Sequence, residues 1–297
     1  MRITRKFSLV KSRYDVITLY PDFYEKFSCK AAACQHSCCK GWEIDIDART
    51  AKVYQTMPDA LGAEIRRNIA SRNGIWQFRL DKAARCPFLQ SDGLCRLIRK
   101  AGESILCDIC ANHPRFFVTV GDFELAGVGL SCEKSCELLL ADLSNLTFHQ
   151  EGSDQAIDLP ILLQRLGIEL SADELVYLAG MTKDDAQFVL ACLEKTAPID
   201  DAWTRQLGEL AAVADNLNPL TEQELAAFTR IYQYIVYRAL EHLETFGLAA
   251  VLSYAQLNAD FISLLYQLTG QLDESVRRWS EQIEYSVENV RCLMEQV

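Results

Sequence analysis

The sequence predicts a mainly α protein: an irregular, cysteine-rich, metal-binding N-terminal module with little β, followed by a helical C-terminal region. Three observations carry that expectation. Ten of the 12 cysteines fall between Cys29 and Cys136. Charge divides in the same sense, with residues 1–150 holding 21 Lys and Arg against 17 Asp and Glu, and residues 151–297 holding 9 against 24. Beyond residue 150, apolar residues recur at spacings of three and four, the period of one helix face. Two modules follow, 1–150 and 151–297, joined through the Gly-, Ser-, Asp- and Gln-rich stretch 149–158.

The opening stretch MRITRKFSLVKSRYDVITLY is basic, but Lys11, Arg13 and Asp15 interrupt its apolar runs, which makes it a poor secretory signal. No run of about 18 consecutive apolar residues is present. These features predict a cytoplasmic protein with no membrane partner. In that compartment clustered cysteines bind metal more often than they pair. The net charge of −11 argues against nucleic acid as a partner, since phosphate binding requires a basic surface.

A helix is expected from Ala48 to Ser71, on the apolar positions Val53, Met57, Leu61 and Ile65. Short extended pieces are expected at WQFRL and FFVTVGDFELAG, the latter a small hairpin turning near Gly121 and Asp122. In the second half, DLPILLQRLG, ADELVYLAGM, DDAQFVLACLEK, TRQLGELAAVADNL, LTEQELAAFTRIYQYIVYRALEHLETFG and Tyr254–Leu272 read as helices. Ser171 with Glu174, and Thr221 with Glu224, have the spacing of capping boxes, and Gly247 stands where a C-cap belongs. The tyrosines of YQYIVYRALEHLETFGLAAVLSY read as core residues of a packed helix.

The cysteines carry the chemistry. Cys29, Cys34, Cys38 and Cys39 stand close together in FSCKAAACQHSCCKGWEI, so several thiolates converge without a long loop to order. CPFLQSDGLC adds Cys86 and Cys95, CDIC adds Cys107 and Cys110, and SCEKSC adds Cys132 and Cys136. That is more sulfur than one four-coordinate ion needs: either two centres exist or some cysteines are spectators. Spacing alone leaves zinc and an iron-sulfur cluster equally open. His36 and His113 are further ligand types, Trp42, Trp76 and the nearby phenylalanines suit an apolar shell, and Cys192 and Cys292 read as ordinary buried thiols.

YPDFYEKFSCKAAACQHSCCKGWEIDID, CPFLQSDGLCRLI, LCDICANHPRFF and SCEKSCELLL together resemble the flagellin lysine-N-methylase family over residues 14–140. The cysteine part is also similar to a wider group of zinc- or iron-chelating domains with a CxxCxxCC signature, although the spacing here is C-x4-C-x3-CC. The resemblance implies a [4Fe-4S] cluster and methyl transfer from S-adenosylmethionine to lysine amines of flagellin. It implies ligands among Cys34, Cys38, Cys39, Cys86, Cys95, Cys107, Cys110 and Cys132, with Cys29 and Cys136 weaker members. Arg115 in ANHPRFF reads equally as a partner for the anionic cluster or the donor's carboxylate and as half of a surface ion pair.

No glycine-rich nucleotide turn is present, and Gly41 and Leu139 stand where the C-x3-C-x2-C radical spacing needs its third cysteine. The donor pocket is therefore expected from resemblance alone, and no catalytic residue is singled out. Asp45, Asp47, Asp108, Tyr14, Tyr20 and Tyr24 lie near the cysteine motifs as possible proton acceptors. The alternative function is a non-enzymatic zinc- or iron-binding scaffold whose acidic half binds a partner.

Overall fold

The computed structural model describes residues 16–297. In chain order the elements are β1 (Ile17–Pro21), β2 (Asp45–Ile46), α1 (Ala48–Thr56), α2 (Ala60–Arg67), β3 (Ile69–Arg72), β4 (Ile75–Phe78), α3 (Arg96–Ala101), α4 (Asp108–Asn112), β5 (Arg115–Val120), β6 (Phe123–Val128), α5 (Glu133–Leu140), β7 (Thr147–Gln150), β8 (Ala156–Asp158), α6 (Leu159–Arg165), α7 (Lys183–Leu193), α8 (Trp203–Ala214), α9 (Glu222–Ala239), α10 (Leu243–Thr269), α11 (Leu272–Trp279) and α12 (Val287–Met294).

Helices dominate the second half, as expected, but the N-terminal region is not poor in β. Its strands, joined by β8 from just beyond residue 150, form two sheets, one of five strands in the order β5-β6-β1-β7-β8 and one of three in the order β2-β4-β3. Cysteine-rich sequence here does not replace regular elements, and strand propensity holds in it. β1 pairs parallel with β6 and antiparallel with β7, partners more than 100 residues away. The hairpin of β5 and β6 forms where expected, with Gly121 at φ 57 in its turn. The stretch 149–158 is part of the β7–β8 hairpin.

The helix expected over Ala48–Ser71 is three elements. Pro58 disfavours helical backbone at the residue before it, and Met57 is extended. Asp59 then caps a new helix by accepting the Gly62 amide, and the chain continues into β3. ADELVYLAGM makes only one 3-10 turn, Ala172–Glu174, although its capping box is present. Leu175 and Tyr177 immediately after it are buried in the large core. The second capping box, Thr221 with Glu224, starts an 18-residue helix. Gly247, at φ 81, kinks the following helix, and left-handed Gly270 is the residue that ends it.

Buried apolar residues sort into two cores. The large one joins all five strands of the larger sheet to the helices, with Tyr232, Tyr234, Tyr237 and Tyr254 inside it, as read from the sequence. The small one lies between Ile44 and Cys107 and includes Tyr54, Phe78 and Phe88. The stretch Glu222–Thr269 is long and apolar enough to cross a membrane, although no unbroken apolar run of that length occurs in it, because its polar residues are spread along the helix. Of its most apolar window 67% is buried inside the protein, as in a core helix.

Candidate metal centre

The cysteine motifs meet through short backbone pairings. After the double cysteine, Gly41 at φ 94 turns the chain, and Lys40 bridges to Arg85. The Cys86 amide donates to the Cys39 carbonyl at 2.9 Å, and the Gly41 amide to the Ala84 carbonyl at 3.0 Å. Cys86 and Cys95 are brought together by a tight loop: Leu89 bridges to Cys95, and the Arg96 amide reaches the Phe88 carbonyl at 2.8 Å. Gly93, at φ 77, permits that loop.

CDIC is delivered by α4. Cys107 precedes its first turn and Cys110 lies within it. Two residues outside the motif fix its position. Asp47 accepts the Thr50 amide at 2.8 Å, capping α1, and its other oxygen accepts the Asp108 amide at 3.0 Å. The Tyr54 hydroxyl, buried, donates to the Ile105 carbonyl at 2.7 Å. Sequence reasoning placed Asp47 among proton acceptors. Its two amide partners give it a structural task, and the signal was its position directly before a helix.

Six sulfurs share this neighbourhood. Cys39 feels Cys38, Cys86 and Cys95, while Cys110 feels Cys107, Cys39 and Cys86. Cys86 and Cys107 are buried in the small core, and Cys39, Cys95 and Cys110 pack against it with Trp42 and Trp76. Hydrogen bonding between neighbouring thiols splits their acidities. The Cys39 thiol draws Cys38 down to about 7, while that bond and burial push Cys39 far up. Cys107 is lowered by the Cys110 thiol in the same way, and Cys110 is raised. Burial lifts Cys86 to about 11, against the amides of Phe88 and Leu89 that favour its thiolate.

This donor set is sulfur alone, which selects soft or borderline metals: zinc, copper(I) or iron-sulfur clusters. Among the described residues, no three Cys, His, Asp or Glu side chains stand close enough to hold one ion. The residues present suit a thiolate-ligated group by their chemistry and shared neighbourhood.

Cys34 and Cys132 lie in a different group, near Cys29. Cys136 and Cys192 are core residues, and Cys136 donates to the Leu130 carbonyl at 2.9 Å. His113 stacks on Trp42 with ring centroids 6.0 Å apart. Burial pulls it down to about 4, and its Nε2 has no protein partner. His36 lies 3.5 Å from Glu274. Arg115 spreads its guanidinium over Phe27 at 5.1 Å and Tyr24 at 5.6 Å, which holds the segment entering Cys29.

The other proton-acceptor candidates are also engaged. Asp45 accepts from Gln77 at 2.8 Å and Asp108 pairs with Arg49 at 3.2 Å. Tyr20 donates to Glu25 and is raised to about 12, mainly by burial. Tyr14 lies outside the described residues. Two surface cavities of about 400 and 360 Å³ are lined by residues such as Pro160 and Gln164, and Glu224 and Tyr266; neither is lined by a cysteine.

The chain is 29% identical over 214 residues to proteins named lysine-N-methylase from Salmonella typhimurium and Salmonella choleraesuis. Each alignment covers 67% of this chain and 52% of the relative, so the chain spans about half the length of these curated relatives. It is 31% identical over 145 residues to a protein named flagellar biosynthetic protein FliU from Salmonella muenchen, covering 47% of this chain and 86% of that protein. No family model matches. No solved structure matches. On the extent and identity of these alignments, the chain belongs to the family of the Salmonella lysine-N-methylases and FliU.

Proposed function

We propose that this protein is a lysine N-methyltransferase acting on flagellin, with S-adenosylmethionine as methyl donor and a [4Fe-4S] cluster ligated from among Cys38, Cys39, Cys86, Cys95, Cys107 and Cys110. The observation that carries the proposal is the gathering of six sulfurs from three separate motifs around one small apolar core. The names of the relatives supply the reaction class, and the flagellar name of FliU supplies the substrate. The proposal places the protein in the cytoplasm, where thiols stay reduced.

A bound cluster would supply soft iron sites able to orient a donor or exchange an electron. The chain's own residues do the rest. Trp42, Trp76 and Phe88 keep water from the sulfurs. Asp47 and Tyr54 hold α4 so that Cys107 and Cys110 face the other two motifs. Methyl transfer needs a neutral lysine amine aligned with the sulfonium methyl, which is a matter of positioning and desolvation.

One observation favours a second reading, a structural zinc scaffold. The small core is only a dozen buried residues, two of them cysteines, so a metal there would act as a staple. The test is to incubate anaerobically purified protein with flagellin and S-adenosylmethionine and examine the flagellin lysines by mass spectrometry. Methylated lysines support the transferase. Unmodified lysines, with zinc in place of iron, support the scaffold.

A further inference from the structure

The two sheets have four edge strands, and three of them are blunted in ways that keep an edge from pairing. β8 is three residues long and ends at Asp158, which caps α6. β2 is two residues long and carries Asp45, and β3 ends at Arg72. β5 is different. Its six residues, RFFVTV, make an edge about 20 Å long, and residues 116–120 hold no charge, proline or glycine. Phe117 is 47% exposed on it.

The register fixes which backbone groups this edge offers. Val120 and Phe123 close a two-residue turn, and antiparallel pairs alternate between bonded and unbonded along the strands. Val118 with Leu125 and Phe116 with Gly127 are then bonded pairs, and the Gly129 amide reaching the Pro114 carbonyl at 2.8 Å continues the same phase. The N–H and C=O of Phe117 and Thr119 therefore point away from β6. No other backbone group of the described residues bonds to them. Their side chains share a face with Glu124, which lies opposite Thr119 and accepts the Thr18 hydroxyl at 3.1 Å. Glu151, whose amide donates to the Thr18 carbonyl at 2.9 Å, extends that row, and Asp122 is exposed in the turn. Arg115, the one basic residue of β5, is turned onto the rings of Tyr24 and Phe27. A second copy of this chain, with its net charge of −11, would meet like charge at this edge, whereas a cationic strand meets its complement.

At its other end β5 meets the cysteine motifs, since Arg115 follows closely on Cys110 and on the His113 ring that stacks on Trp42. We infer that β5 is the docking edge for the protein substrate: an extended, lysine-bearing segment adds antiparallel to it as a sixth strand, its backbone bonded to Phe117 and Thr119 and its lysines along the acidic row. The choice of a lysine-bearing partner rests on the methyltransferase reading above. Backbone bonding makes the edge tolerant of sequence, and the carboxylates select cationic side chains at alternate positions. Those side chains fall about 7 Å apart on a track that leads from Asp122 toward the six-sulfur centre.

The probe is a fluorescent peptide of about ten residues alternating lysine and threonine, which covers the strand and puts every lysine on one face. It is added to the whole chain as purified, without S-adenosylmethionine, and binding is read by anisotropy and by amide exchange at Phe117 and Thr119. Saturable binding with slowed exchange at those two amides is expected, and glutamate in place of lysine should abolish it. Thr119→Pro removes an outward amide and no ladder bond, so it should weaken binding about tenfold or more with metal content unchanged. The peptide N-methylated at its lysine amides, which face β5 when the lysines face Glu124, tests the same bonding without altering the protein and should bind as weakly. Glu124→Gln should weaken binding several-fold. Undiminished binding of the N-methylated peptide, or undiminished binding to Thr119→Pro, overturns the inference, as does slow exchange at Phe117 and Thr119 before any peptide is added. Flagellin methylated equally well by the wild type and Thr119→Pro overturns it too, and leaves the methyltransferase reading standing. Peptide bound along β5 with flagellin left unmodified defeats that reading and supports the edge.

Discussion

The two cores of this protein are built differently. The large core encloses 47 buried residues, including Trp203, Trp279 and Phe261, and the strands β1, β5, β6 and β7 contribute to it from the N-terminal side. The small core encloses 12, and sulfur contributes Cys86 and Cys107 directly and Cys39, Cys95 and Cys110 at its margin. At about 25 cal/mol per Å² of apolar surface, burial alone sustains the first. The second is the size at which natural domains add a metal or a disulfide. All its cysteines are free thiols, and under the proposed reading a metal would be the stabilising element.

That contrast predicts effects of different size in the two regions. The largest is expected from Cys39→Ser combined with Cys107→Ser. Metal should be lost, and amide hydrogen exchange over residues 44–112 should accelerate, while α9 and α10 keep their protection. Uniform loss of protection would show that the cores are not independent.

Next comes Arg230 in the large core, 1% exposed and bonded to Asp22 at 2.7 Å and to the carbonyls of Leu139 and Ser144. Arg230→Ala leaves those acceptors without a donor and is expected to cost about 3–5 kcal/mol in denaturant unfolding. Metal content should stay unchanged.

Asp260 tests the large core by pH. It is buried and accepts from Tyr177 at 2.7 Å and Gln256 at 3.1 Å. Burial raises it to about 6, against those hydrogen bonds. A carboxyl raised in the folded state binds its proton more tightly there than in the unfolded chain. Its favourable contribution is therefore present below the unfolded value near 4 and is lost as pH rises to about 6. Asp260→Asn keeps an oxygen for both donors, so it should exceed the wild type by about 2 kcal/mol at pH 8 and match it at pH 4. Equal stabilities at pH 8 would place the charged carboxylate in a solvated setting.

Tyr54→Phe removes one buried hydrogen bond to Ile105 and should cost about 1–2 kcal/mol. That loss should be confined to the small core and slow metal uptake. Thr221→Ala is the smallest change. Its hydroxyl accepts the Glu224 amide at 3.3 Å, and its loss should lower the melting stability by about 1 kcal/mol with no effect on metal.

Periodicity made the second half legible because a core helix displays its contacts in local spacing. α7, α8, α9 and α10 lie where three- and four-residue spacing puts them. The first half depends on distant partners. Ile17 pairs with Phe123 and Tyr20 with His149, and no window around β1 contains that information. Pro58 shows the opposite case, a local signal outweighed by the apolar spacing on either side of it.

The cysteine motifs were legible as candidate donors because their residue types are chemically specific. Their sorting was not. Cys34 is only four residues from Cys38, yet its neighbours are Cys29 and Cys132, because Lys30 and Glu133 carry that loop to α5. Proximity in sequence gave no warning of that division, which rests on ion pairs 103 and 107 residues apart.

Iron and acid-labile sulfide, measured on the anaerobically purified chain and its cysteine variants, test the central claim most directly. A [4Fe-4S] cluster on the six-sulfur centre predicts about four of each per chain. They should be lost in Cys39→Ser or Cys107→Ser and retained in Cys34→Ser and Cys132→Ser. Iron and sulfide that depend on Cys34 and Cys132 but survive without Cys39 and Cys107 would contradict the account.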